Sequence, residues 1–188
     1  MRIPFVCVLL SLLVPMSPAA VPPRDETLFL FENRKVVVAV PEGFKLERSP
    51  EAAGVITLRL ADSGDQVSAE IRFLPDPELR FMPSRPRKEL MNEMFNEYVS
   101  ASTERAMQFE ELEPRVGAGT YCVFTDARLV GKSPLPAGEY LHLTVGLKAW
   151  PGVIAIFRVF SQDTKSREYQ AMLALLRESL EERSVPLK

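Results

Sequence analysis

The sequence predicts an α/β (α+β) fold, with a central antiparallel sheet of about seven strands sandwiched by helices. Three observations carry that expectation. Short runs of β-branched and aromatic residues recur between turn signals. Two longer stretches repeat apolar residues at helical spacing. The strands also come in runs rather than in strict alternation with helices, which argues against a doubly wound parallel sheet. With 188 residues, 46% of them hydrophobic and 26% charged, the chain suits one domain and excludes wholesale disorder.

The N-terminus reads as an address. Arg2 gives a positive start, and residues 5–14 form an apolar run interrupted only by Ser11. Pro15 ends the run, and Ser17, Pro18, Ala19 and Ala20 follow as a small-residue region. That is the order of a secretory signal peptide over residues 1–20, with cleavage after Ala19 or Ala20. As a helix the run spans about 15 Å, half of a hydrocarbon core of roughly 30 Å, too short for a stable membrane anchor. The structural alternative is a buried N-terminal helix. Cys7 sits inside the run, not after it where a lipid-attachment cysteine would stand, and reads as a small hydrophobe. Export to a bacterial periplasm or beyond is the expectation.

Residues 21–26 are polar and Pro-rich and read as a short tail before a single domain over 27–188. Runs 27–31 and 35–40 read as strands around a turn at Glu32-Asn33-Arg34, and Pro41-Glu42-Gly43 stops the second. Runs 55–60 and 67–74 form a hairpin, with Gly64 expected to supply the positive φ of its turn. Pro75, Pro77, Pro83 and Pro86 exclude regular structure over 75–88. Leu90, Met91, Met94, Phe95, Tyr98 and Val99 predict a helix over 86–107. Strands are expected at 120–130, 139–149 and 153–161, the last entered through Trp150-Pro151-Gly152. A helix over 164–182 closes the chain on Met172, Leu173, Leu175, Leu176 and Leu180. Runs 36–40 and 153–157 are apolar at consecutive positions, so both are expected at the centre of the sheet, covered on two sides.

This order of elements resembles the PsbP-like superfamily, which includes DcrB-type bacterial envelope proteins. The resemblance is carried by Val38-Ala39-Val40-Pro41-Glu42-Gly43-Phe44 and the hairpin around Gly64. It continues through Leu90-Met91-Asn92-Glu93-Met94-Phe95, the three strands of 120–161, and Leu175-Leu176-Arg177-Glu178-Ser179-Leu180. It implies a sheet between helices and a mostly non-enzymatic role in assembly or chaperoning; no binding residue is carried over from it.

Composition narrows the chemistry. A net charge of −2 lacks the basic surplus of a general nucleic-acid binder. One His and two Cys leave no multi-His metal site and no disulfide framework. Neither a G-x-S-x-G elbow, a P-loop, a dinucleotide glycine fingerprint nor a C-x-x-C occurs. A Cys–His nucleophile would have to join Cys122 to His142, and the apolar neighbours of Cys122 argue for an inert thiol. Asp62 and Asp65 are too few for a calcium site and read as a solvated turn. No cofactor is expected.

Two groups remain as candidate binding residues. In the 75–88 loop, Arg80, Phe81, Met82, Arg85, Arg87 and Lys88 mix cations with large apolar side chains, a composition typical of partner contacts; the structural alternative tucks Phe81 and Met82 onto the core. On the strands, Arg59, Arg72, His142 and Thr144 occupy alternate positions with Thr57 and Glu70 and could share one sheet face; the alternative is ordinary cross-strand pairing. The expected function is that of an exported, non-catalytic protein-binding or assembly module with an envelope protein partner. The alternative is a small apolar ligand or lipid held in a pocket between sheet and helix.

Overall fold

The computed structural model describes residues 23–30, 34–50 and 55–182. The signal-peptide reading of residues 1–20 falls outside them. The described chain is a mixed α+β fold with a seven-stranded antiparallel sheet and two helices. In chain order the elements are β1 (Arg24–Phe29), β2 (Lys35–Val40), β3 (Phe44–Pro50), β4 (Ile56–Asp62), β5 (Val67–Asp76), α1 (Ser84–Phe95), β6 (Glu110–Glu111), β7 (Ala118–Thr125), β8 (His142–Trp150), β9 (Gly152–Ser161), α2 (Arg167–Ala174) and β10 (Glu181–Glu182). The large sheet runs β3-β4-β5-β9-β8-β7-β6. A second sheet, β1-β2-β10, lies against it.

Strand alternation sorts the large sheet into two sides. On one side α1 sets Met91 and Phe95 on Cys122, Phe124, Val145, Leu147, Ile154 and Ile156. On the other side Ile71, Phe73, Trp150 and Phe157 meet Met172 and Leu176, together with Val36, Val38 and Val40 of the small sheet. Phe73 and Trp150 meet edge to face, their ring centroids 6.2 Å apart. A hydroxyl contact, Thr144 Oγ1 to Tyr169 Oη at 2.8 Å, ties α2 to β8. The Ser166 hydroxyl caps α2 by accepting from the Tyr169 N–H at 3.1 Å. Gly146 lets the Phe157 ring lie close against β8: a Cβ there would lie 2.3 Å from it.

Several expectations are corrected. β9 is central, but β2 is the middle strand of the small sheet and not of the large one. Its apolar run demanded cover on both faces without naming the sheet that supplies it. Arg24–Glu26, read as tail, extend β1 by pairing with Val38–Val40. β3 occupies a stretch to which the sequence pattern assigned no element, because its charged residues Lys45, Glu47 and Arg48 hide the strand pattern, as suits an edge. The positive φ of the β4–β5 turn (53°) falls on Asp65 and not on Gly64, whose N–H instead bonds the Asp62 carboxylate.

Both helices are shorter than periodicity suggests. After Phe95 the chain narrows to a 3-10 segment over Asn96–Ala101. It then reaches the sheet, where Ser102 bridges Asp126 and the Thr103 N–H donates to the Thr125 carbonyl. α2 passes into a single π turn over Leu175–Ser179 before β10 pairs with β2. In both places backbone pairing with a strand replaces the last helical turns. Among the described residues no helix is long and apolar enough to cross a membrane.

Candidate functional site

Register decides which sequence candidates meet. Arg59 pairs with Glu70, and Glu70 with Arg158; Thr57 pairs with Arg72, and Arg72 with Ile156. Cross-strand partners point to the same side, so Arg59, Glu70, Arg72 and Arg158 all lie on the α1 side. Helix α1 packs over β7 and β8, and the half of this side built on β3, β4 and β5 carries these polar groups instead. Arg59 and Arg72 keep 63% and 42% of their side-chain surface in solvent, whereas Glu70 keeps 21%.

One carboxylate holds the group together. Arg72 Nε donates to Glu70 Oε1 at 3.0 Å, Arg158 Nη1 stands 3.5 Å from the same oxygen, and Arg59 Nε stands 3.8 Å from Oε2. The Arg158 guanidinium also lies 5.5 Å from the centre of the Phe95 ring, which fixes it at the margin of the α1 core. Sequence reading missed Arg158. The available signal was its parity: it is a lone cation in an apolar strand, two residues beyond the inward-facing Ile156.

His142 and Thr144 do not join this face. They alternate with Val145, so they lie on the α2 side, where Thr144 is fully buried against Tyr169. A sequence pattern gives the parity within one strand but not the phase between strands, so the four-residue grouping separates into two sides. His142 Nδ1 lies 3.1 Å from Thr125 Oγ1. Burial pushes the imidazole below its ordinary pKa, against the opposing pull of Asp163 and Glu104.

Cys122 faces α1, so the sheet separates it from His142. Burial first, and the Glu110 carboxylate second, push its thiol up to about 12. Asp62 accepts the Gly64 and Val67 N–H groups at 2.9 and 2.7 Å and so closes a turn.

The 75–88 segment is not irregular throughout, as its prolines suggested. Pro75 and Asp76 end β5, and α1 starts at Ser84 with Pro86 in its first turn, where a missing N–H costs nothing. Arg85, Arg87 and Lys88 therefore stand on the helix, and only the turn between is loop. Asp76, buried, accepts the N–H groups of Arg80 and Phe81 at 3.0 and 3.1 Å. Arg87, expected at a partner surface, is 3% exposed. Its Nε donates to Thr120 Oγ1 at 3.0 Å, Nη2 to Glu111 Oε2 at 3.2 Å, and Nη1 to the carbonyls of Phe81 and Met82. A guanidinium so fully answered holds the loop to β6 and β7 and presents nothing outward. Phe81 packs onto the α1 core and Met82 is half-buried. Arg80 stacks over Phe81 at 5.3 Å, Arg85 pairs with Glu89 at 2.8 Å, and Lys88 reaches Glu111 at 3.7 Å. Of the six loop candidates, Arg80 and Arg85 are exposed.

A groove of about 610 Å³ lies where β2 meets α2. Its lining combines Val37, Ala39, Ala171 and Ala174 with the carboxylates of Asp25, Glu42, Glu168 and Glu178 and the guanidiniums of Arg115 and Arg167. Arg167 and Glu42 pair across it at 3.4 Å.

In comparison with known proteins, the chain matches no family model, no curated protein and no solved structure.

Proposed function

We propose that this chain is an exported, non-catalytic binding or assembly module that docks a protein partner on the open half of its large sheet. The single observation that carries the reading is the unequal cover of the α1 side. Among the described residues, α1 packs over β7 and β8, while on β4 and β5 Arg59 and Arg72 keep 63% and 42% of their side-chain surface in solvent. Exposed arginine is enriched at partner sites. The separation of Cys122 from His142 supports a role without nucleophilic catalysis. Export is supported by the N-terminal residue pattern, and membership of the PsbP-like superfamily by the seven-stranded sheet with helices on both sides.

The test is photo-crosslinking of the full chain in its native host. A photoreactive residue at Ala61, exposed on the same side of β4 as Arg59, captures a discrete protein. The same residue at Glu93, exposed on α1, does not. Equal labelling at both positions, or no adduct at Ala61, overturns the reading.

A second reading, a small-ligand protein, is favoured by the β2–α2 groove, whose volume is in the range of ligand sites. Its four carboxylates suit a polar ligand better than the apolar or lipid ligand expected from the sequence.

A further inference from the structure

β3 is the outermost strand of the large sheet, and among the described residues no strand pairs with its outer side. We propose that a second copy of this chain fills that side, whatever docks on the face of the sheet. Two β3 strands join antiparallel about a two-fold axis at Leu46, and the large sheet continues across the dimer.

Backbone polarity sets which residues can take part. In an antiparallel ladder, alternate residues turn their N–H and C=O groups to the same neighbouring strand. The Ser63 N–H donates to the Gly43 carbonyl at 3.1 Å, where the β3–β4 pairing begins. Gly43 and every second residue after it, Lys45, Glu47 and Ser49, therefore face β4. Leu46 turns its N–H and C=O to the open edge. Pro50 agrees with this assignment: its nitrogen, which has no hydrogen to donate, falls on the open side. Outward backbone groups of this kind are a template for a further strand. With the axis at Leu46, each Leu46 N–H donates to the Leu46 carbonyl of the other copy. The two Leu46 side chains then lie opposite each other, beside the apolar cores against which they already pack.

Side-chain charge selects the register. Lys45 and Glu47 are exposed and flank Leu46 on the other side of the strand. Among the described residues neither has an ion-pair partner in its own chain; Arg59, across from Glu47, reaches Glu70 instead. About the proposed axis, Lys45 stands opposite Glu47 of the second copy, and symmetry repeats the pair. These positions share no backbone bond, so their side chains approach most closely. Moving the axis by one residue sets Lys45 against Lys45 or Glu47 against Glu47, and like charges directly opposite are destabilising. Edge strands commonly carry charge to block such pairing. Charge of one sign does block a two-fold contact, whereas a cation and an anion two residues apart become partners under it. Arg48 is engaged within its own chain and is not needed. Seven residues of edge make a small interface, so the dimer dissociates on dilution.

Sedimentation velocity of the full chain over a wide concentration range reads the equilibrium. The wild type passes from monomer to dimer as concentration rises. Lys45→Glu and Glu47→Lys each turn both ion pairs into like-charge contacts and weaken the dimer about tenfold or more. Lys45→Glu combined with Glu47→Lys puts opposite signs back across the axis and restores the wild-type equilibrium. Lys132→Glu, the same charge change in the loop between β7 and β8, far from β3 in the strand order, leaves the equilibrium unchanged. Hydrogen exchange of the Leu46 amide slows with concentration in the wild type and does not in the single variants. Lys45, Glu47 and Lys132 are all exposed, so the variants fold, and far-ultraviolet circular dichroism checks this. A wild type that stays monomeric at every concentration overturns the inference. So does a dimer that the single variants leave intact, or that the double variant fails to restore, because the contact then lies elsewhere.

Discussion

The two halves of the α1 side use arginine in opposite ways. On the covered half, Arg87 is buried, and Thr120, Glu111 and two loop carbonyls accept its donors. On the β4–β5 half, Arg59 and Arg72 both reach Glu70 and keep 63% and 42% of their side-chain surface in solvent. The first arrangement fixes a loop. The second leaves positive charge facing outward on a rigid strand scaffold. Neighbouring strands of one sheet therefore hold arginine either buried or half in solvent, and burial distinguishes the two, not the residue type.

Measurements can sharpen or break that contrast. The largest effect is expected from Phe95→Ala, which empties the centre of the covered half. It should cost about 3–5 kcal/mol in denaturant unfolding, as large aromatic deletions in packed cores do. Arg87→Met keeps the apolar stem but takes the guanidinium donors from Thr120, Glu111 and the two loop carbonyls, and should cost about 3 kcal/mol. A loss below about 0.5 kcal/mol there would place Arg87 with the surface arginines and dissolve the contrast. Tyr169→Phe, on the α2 side, leaves the buried Thr144 hydroxyl without its partner and should cost about 1 kcal/mol. Arg59→Ala should change stability by no more than about 0.5 kcal/mol, since exposed ion pairs contribute little.

The smallest effect concerns pH. Burial lowers the pKa of His142 in the folded state, so the unfolded chain binds the proton more readily. Its contribution is present above the unfolded pKa of about 6.5 and is lost as pH falls toward the folded value. Between about pH 7 and about pH 5, the wild type should lose more stability than His142→Gln. An equal or smaller loss in the wild type reverses the assigned sign.

Much of the fold was legible in the residues. The β4–β5 hairpin, the β8–β9 turn at Pro151-Gly152 and the core residues Met91, Phe95, Met172 and Leu176 follow from local pattern, because turn chemistry and side-chain periodicity are written over a few positions. β3 was illegible because an edge strand is under no demand for alternating apolar residues. The helix ends were illegible because competition from strand pairing, absent from the local sequence, cuts them short. The candidate site was half legible. Arg59 and Arg72 could be placed on alternating positions, yet joining them to Arg158 and separating them from His142 and Thr144 required register.

The residues alone determined the class of fold, the scarcity of histidine and cysteine, and the alternation of each strand. Tertiary structure decided which strands share a sheet, which side of that sheet the helix covers, and hence which arginines are consumed by the fold and which are left facing solvent. The reason is physical: alternation is a property of one strand, whereas cover and charge balance belong to several strands in register, and register is set by packing across the whole core.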